Sequence, residues 1–236
     1  MASLLYADKY DINKNISVMI PTVGDVMDNE DLYFGAVSSI IATPYEMMAQ
    51  LDDEGIDFTK IDCFELFLLM FPHLCKLDTS LVLGDLDLTK FVTAVNEENG
   101  TTVLINPDSG VVIDSAIHDQ ICKFLRKMLC MPKNDKVPGN EDGKKYMIKR
   151  ARMKQQRQKR HKTSSQLERL IVALVNTSEF PYDYQTVRDM TVYQFYASMK
   201  QITRKIRFDN TMIGCYAGTV KFDELEQGEK TWIQIE

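Results

Sequence analysis

"KFVTAVNEENGTTVLINPDSGVVID", Lys90–Asp114, is the stretch on which the fold reading turns. It holds three β-branched runs, Phe91–Val95, Thr101–Ile105 and Val111–Ile113. Between the first two sits "NEENG", whose Asn99 and Gly100 can supply the positive φ angles of a tight hairpin. Between the second and third sits "NPDSG", where the fixed φ of Pro107 suits the second position of a turn. Two such turns joining three short runs predict a three-stranded antiparallel meander.

On either side the chain reads as helix. Upstream, "ISVMI" (16–20) is a short strand or extended entry that ends at Pro21. "DNEDLYFGAVSSIIA" predicts a helix capped by Asp28 or Asn29, with acids in its first turn where the helix dipole favours them. In "TPYEMMAQLDDEG", Thr43 caps, Pro44 takes the first helical position, Glu46 completes a capping box and Gly55 closes the helix. A third helix runs from Asp62 to about Phe71 and is stopped by Pro72.

Downstream, Asp114 or Ser115 caps "AIHDQICKFLRKMLCM", in which Ile117, Ile121, Phe124, Leu125 and Met128 recur at helical spacing. "PKNDKVPGNEDG" is a linker or exposed loop. Ser165 and Glu168 form a box that restarts a helix in "TSSQLERLIVALVN", with a break near Thr163–Ser164. "MTVYQFYASMKQITRKIRF" is a long amphipathic helix behind a Thr191–Gln194 box. Its stripe of Val192, Phe195, Tyr196, Met199, Ile202 and Ile206 is expected to face inward with Leu170, Ile171 and Leu174.

The fold class is therefore mainly α (α+β). We expect one α-rich domain over residues 1–236, with the small β-meander inserted and one basic helix projecting. Its parts are an N-terminal helical part (1–77), the meander (78–115), a helix (116–131), a linker (132–143), the basic helix (144–162) and a C-terminal helical part (163–236).

Composition narrows the function classes. Hydrophobic content of 44% in 236 residues is enough to bury a core. No apolar run approaches the roughly 18 residues needed to cross a bilayer, and the N-terminus lacks the pattern of a signal peptide. The expectation is a protein used inside a cell, with its five widely spaced cysteines reduced and packed as small hydrophobes. There is no P-loop, GxGxxG, HExxH, CxxC or GxSxG, and neither "GDLDLTK" nor "LDDEGIDF" has the ligand spacing of a calcium loop. An enzyme is the least supported class, and no cofactor or metal is expected.

The departure from an ordinary acidic protein is "KKYMIKRARMKQQRQKRHK", Lys144–Lys162. Ten of its residues are Lys or Arg and none is Asp or Glu. The whole chain has 28 Lys+Arg against 34 Asp+Glu; without this segment 18 cations face 34 acids, a balance of −16. Its hydrophobes stop at Met153. The expectation is a helix anchored through Tyr146, Met147 and Ile148, with Lys154–Lys162 projecting. The candidate partner-binding face comprises Lys149, Arg150, Arg152, Lys154, Arg157, Lys159, Arg160 and Lys162. Four readings stand: a solvated face or one paired with the protein's own acids, a protein partner, nucleic acid, and a membrane surface. Nucleic-acid binding lacks accompanying aromatics or a recognised module. A membrane helix would need a bulkier apolar face.

Three phrases carry a resemblance: "ISVMIPTVGDVMDNEDLYFGAVSSIIATPYEMMAQLDDEGIDF", "PGNEDGKKYMIKRAR" and "LERLIVALVN…YDYQTVRDMTVYQFYASMKQITRKIRFDNTMIGCYAGTV". The chain resembles tail-region proteins of tailed bacteriophages of Gram-positive hosts, namely tail-assembly chaperones or small tail and baseplate assembly proteins. The resemblance spans most of the chain. It implies a helical factor without active-site residues that binds the tape-measure protein and tail-tube subunits. Such a factor acts in the host cell cytoplasm, or stays in the virion tail. A structural tail or baseplate component and a phage nucleic-acid-binding protein are the competing classes. Self-association through the basic helix and the acidic body is a further expectation.

Overall fold

The computed structural model describes residues 4–96, 100–160 and 165–233. In chain order the elements are β1 (Lys9–Asp11), β2 (Ser17–Met19), α1 (Val23–Asp28), α2 (Glu30–Ile41), α3 (Met48–Asp53), α4 (Cys63–Leu74) and α5 (Ser80–Leu83). They continue with β3 (Val92–Val95), β4 (Thr102–Ile105), β5 (Val112–Ile113), α6 (Ser115–Met128), α7 (Glu141–Arg160), α8 (Gln166–Val175) and α9 (Val192–Tyr216). Four short 3₁₀ turns complete the list, two of them after α9.

The meander forms as its turns require. β3 pairs antiparallel with β4, Val92 opposite Ile105 and Val95 opposite Thr102, and β4 pairs with β5, Leu104 opposite Ile113. Gly110 has φ 68°, a conformation a side chain resists, and its N–H reaches the Asn106 carbonyl at 2.8 Å. The Asn106 side chain accepts from Asp108 N at 3.0 Å and so builds the turn itself. Gly100 has φ 68° at the other hairpin, while Asn99 lies outside the described residues. The sheet buries Leu104 and Ile113 and leaves Val92 and Val95 exposed.

One core takes residues from most elements: Ile16 and Val18 beside β1, Tyr33 and Val37 of α2, Phe67 of α4, Leu125 and Met128 of α6, Leu167 and Ile171 of α8, Phe195 of α9. A smaller second core joins Ala42, Met48, Leu51, Phe58 and Leu66 with Ile148 of α7. Helix α4 lies between them, which is why "CFELFLLMF" is apolar nearly all round. It gives Phe64, Phe67 and Phe71 to the first core and Leu66 to the second.

The helix starts are chemical as well as geometric. Asp62 caps α4 with a full box to Glu65, Asp114 caps α6 through Ile117 N at 2.8 Å, and Thr191 caps α9 with a full box to Gln194. Ser165 accepts from Glu168 N at 2.8 Å, and the carboxylate of Glu30 accepts from Gln166 N and Leu167 N at 2.9 and 3.1 Å. A residue of α2 thus caps α8 across the fold. The expected break at Thr163–Ser164 lies outside the described residues.

Four expectations need correction. Helix α4 does not stop at Pro72 but runs to Leu74, with Pro72 inside its last turn. There the ring removes one backbone hydrogen bond, and the complete burial of Leu74 holds the turn beyond it. Residues 44–47 form a turn, so α3 starts at Met48. The Thr43–Glu46 box is present, yet Glu46 N also bonds the Thr43 carbonyl three residues back, tighter than an α-helix. Asn29 occupies the N-cap position of α2 without a side-chain cap; its amide instead donates to Asp25 O at 3.1 Å. Finally, Ile206 is 40% exposed, because α9 leaves the core after Ile202.

β1, α1 and α5 were not anticipated from the sequence. β1, "KYD", is exposed throughout and pairs with β2 through its backbone, Tyr10 opposite Val18. Helix α1 is capped by a Thr22–Asp25 box.

The uneven burial along α9 gives an expected outcome. Phe195→Ala should cost about 3–5 kcal/mol, whereas Ile206→Ala should stay within about 0.5 kcal/mol. Chemical denaturation of the two variants checks this; equal losses would mean that the distal half of α9 is packed.

Candidate functional site

The basic helix is held on one side by a stripe at helical spacing. Lys144, Met147, Ile148, Ala151 and Gln155 are the positions turned toward the body. Ile148 is buried in the second core, with Met147 and Ala151 packed against it. Tyr146, expected as an anchor, is 63% exposed, and Met153 is exposed as well. Both fall off the stripe, so spacing rather than hydrophobicity chose the contacts.

Charge reinforces this docking. Lys144 Nζ lies 2.7 Å from Asp57 Oδ2, and both side chains are largely covered. Arg152 reaches Asp52 Oδ2 at 2.7 Å and Asp53 Oδ1 at 2.5 Å, both at the end of α3. Hydrogen bonding to Lys144, and then to Thr59, holds the Asp57 carboxyl well below its ordinary range. The same contact pushes the Lys144 ammonium up. The dense acidic stretch "LDDEGID" is therefore the counter-charge of the first half of the basic helix. Its ligand spacing hid that role, because the two segments are about a hundred residues apart.

The candidate face divides accordingly. Arg152 is engaged with the body. Lys149, Arg150, Lys154 and Arg157 are exposed. Lys159 and Arg160 lie on the last turn of α7, their side chains outside the described residues, and Lys162 is outside them altogether. The helix thus uses Lys144 and Arg152 internally and leaves Lys149, Arg150, Lys154 and Arg157 exposed.

Charge is also polarised along the chain. Residues 1–115 hold 20 acids against five lysines and no arginine; residues 116–236 hold 14 acids against 23 Lys+Arg.

The sequence reading missed a cleft of about 980 Å³, lined by five separate segments: 41–45, 58–64, α6, 130–137 and, at Lys200, α9. Tyr45, Phe58, Ile61 and Phe64 form its apolar part, and Lys123, Arg126, Lys127, Lys133, Lys136 and Lys200 its basic part. The segment after α6 is strapped down over it. Arg126, with only 10% of its side chain exposed, donates to the carbonyls of Pro132 and Ile41, and Thr43 Oγ1 donates to Asn134 O at 2.6 Å.

At the cleft's base His118 Nε2 lies 3.0 Å from the Ile40 carbonyl and stacks on Phe67 at 4.4 Å. Cys122 Sγ is 3.3 Å from the same Nε2. Burial lowers the imidazole and pushes the thiol up to about 12. Burial thus disfavours the charged form of both groups, the reverse of what a thiolate–imidazolium pair needs. Among the described residues no three His, Cys, Asp or Glu converge to hold a metal ion, and no helix is long and apolar enough to cross a membrane.

Residues 155–235 match the family model of the YomV second domain, a phage-derived family. The matched stretch begins within α7, at Gln155, and covers α8, α9 and the tail. No curated protein and no solved structure matches the chain.

The Lys144–Asp57 contact has a pH signature. A carboxyl lowered by folding contributes stability above its unfolded pKa, near 4, and loses it as pH falls through the lower folded value. Asp57→Asn should therefore lower the melting temperature at neutral pH, and the gap to wild type should shrink as pH drops below about 4. A gap independent of pH would remove the ion pair from the account of how α7 docks.

Proposed function

We propose that this chain is a non-enzymatic phage tail assembly factor. In this reading α7 captures acidic surfaces of tail proteins, the tape-measure protein and tail-tube subunits among them, during morphogenesis in the host cytoplasm. One observation carries it: Lys154, Gln156 and Arg157 are exposed beyond Ala151, the last apolar residue of the helix packed on the body, and the cations continue from there without an acid among them. A helix that gains nothing from its own core gains from a partner or not at all. The internal pairing of Lys144 and Arg152 supports it, since it fixes the helix axis and leaves Lys149, Arg150, Lys154 and Arg157 presented. The likeness of residues 155–235 to a phage-derived family supports the phage setting.

Charge reversal of Arg157, Lys159 and Arg160 to Glu tests it. Folding should stay intact, because Arg157 is exposed and substitutions at exposed positions usually move stability by less than about 0.5 kcal/mol. Capture of tail proteins in a pull-down from phage-infected cells should fall. Unchanged capture with loss of salt-sensitive duplex binding would replace a protein partner with nucleic acid. An unfolded triple variant would make the segment structural.

A further inference from the structure

The strapped cleft has more positive charge than its own acids neutralise. Lys123 pairs with Asp119 at 2.6 Å and Lys133 with Asp135 at 3.3 Å. Lys127, Lys136 and Lys200 are exposed at the rim and have no ion-pair partner among the described residues. Between them the walls are aromatic and aliphatic. The cleft is also elongated: its lining on α6 runs from Ser115 to Lys127, about 18 Å at helical rise. That length suits about eight or nine residues in 3₁₀-like turns, at about 2.0 Å per residue, where positions three apart share one side. The occupant it fits is a short acidic peptide with bulky apolar residues at that spacing.

This chain contains such a peptide. After α9 comes "KFDELEQGEK", Lys221–Lys230, with Asp223, Glu224, Glu226 and Glu229 around Phe222 and Leu225. Every residue from Tyr216 to Glu224 is exposed, and Phe222 is 47% exposed. The segment is held by local contacts: Lys221 to Glu224 at 2.7 Å, and Lys230 over the Phe222 ring at 5.4 Å. The tail runs back beside α9 and is tied to it at both ends, Val220 N to the Gly214 carbonyl at 3.1 Å and Gln201 Nε2 to the Trp232 carbonyl at 3.0 Å, so entry into its own cleft would break these contacts. Lys200 marks where α9 passes the cleft, and Tyr216, where the tail begins, stands about 24 Å further along the axis.

We propose that the cleft receives the segment Phe222–Glu229 of a second copy of this chain. The acids of the segment meet Lys127, Lys136 and Lys200, and Phe222 and Leu225, three residues apart, enter between Tyr45, Phe58 and Phe64. The proposal rests on the cleft and the tail alone, so it stands or falls independently of the role given to α7.

Sedimentation velocity over a wide concentration range tests it, with two charge-reversed variants of the full chain, K127E/K136E and E224K/E226K. All four positions are exposed, so both variants should keep the wild-type melting temperature. Wild type should gain mass with concentration and lose it with added salt. Each variant alone should remain monomeric, because cleft and tail then carry like charge. Mixing the two variants should restore association, since each then meets an opposite charge on the other. Wild type that stays monomeric throughout overturns the proposal, as does association that both variants retain, or variants whose mixture remains monomeric.

Discussion

The fold depends on a clamp between distant parts of the chain at Thr22 and Thr191. The two residues form an antiparallel bridge, with Val23 N bonded to the Met190 carbonyl at 2.8 Å and Val192 N to the Pro21 carbonyl at 2.9 Å. Each threonine is also the N-cap of a helix, so α1 and α9 start side by side with their first N–H groups satisfied. The approach is close enough that Gly24 is needed: a Cβ there would lie 3.1 Å from the Arg188 carbonyl. Arg188 closes the same corner by donating twice to the Asp28 carboxylate, at 3.0 and 2.8 Å. With its first turn fixed in this way, α9 enters the core through Val192, Phe195 and Tyr196 and then leaves it.

The exit of α9 and the docking of α7 are the same arrangement achieved by different forces. α9 is held at its start by capping and burial. α7 is held along its first half by Ile148 in a small apolar core and by two sets of ion pairs. Exposed pairs such as Arg152 with Asp52 contribute little stability by themselves. Their main effect is to fix which way the helix runs across α3. In α7 the exposed Lys154 and Arg157 lie beyond Ile148 and Ala151, and in α9 the residues beyond Ile202 include Lys205, which pairs with Asp209 and Glu179.

Local chemistry made much of the fold legible. The turns at "NPDSG" and "NEENG", the caps Asp62, Asp114 and Thr191, and the 3.6-residue stripe of α6 each depend on residues within a few positions of one another. What escaped was either weak in side-chain signal or long in range. β1 is polar and held by backbone pairing, so no periodicity announces it. The Glu30 cap of α8 joins residues more than a hundred positions apart. Pro72 misled because a proline's cost depends on where in the helix it falls and on what the next turn buries.

The same division holds for the candidate sites. Sequence alone determined that a cation-rich helix sits in an acidic chain, that its hydrophobes end at Met153, and that the α9 stripe begins at Val192. Composition and spacing are properties of the linear chain, and they survive any folding. Tertiary structure decided which cations are spent: Lys144 on Asp57 and Arg152 on Asp52 and Asp53, while Arg157 is left outside. It also decided that five segments close around one cleft with lysines at its rim. Ion pairing falls off within a few ångströms in water, so it is settled only when folding brings separated residues together.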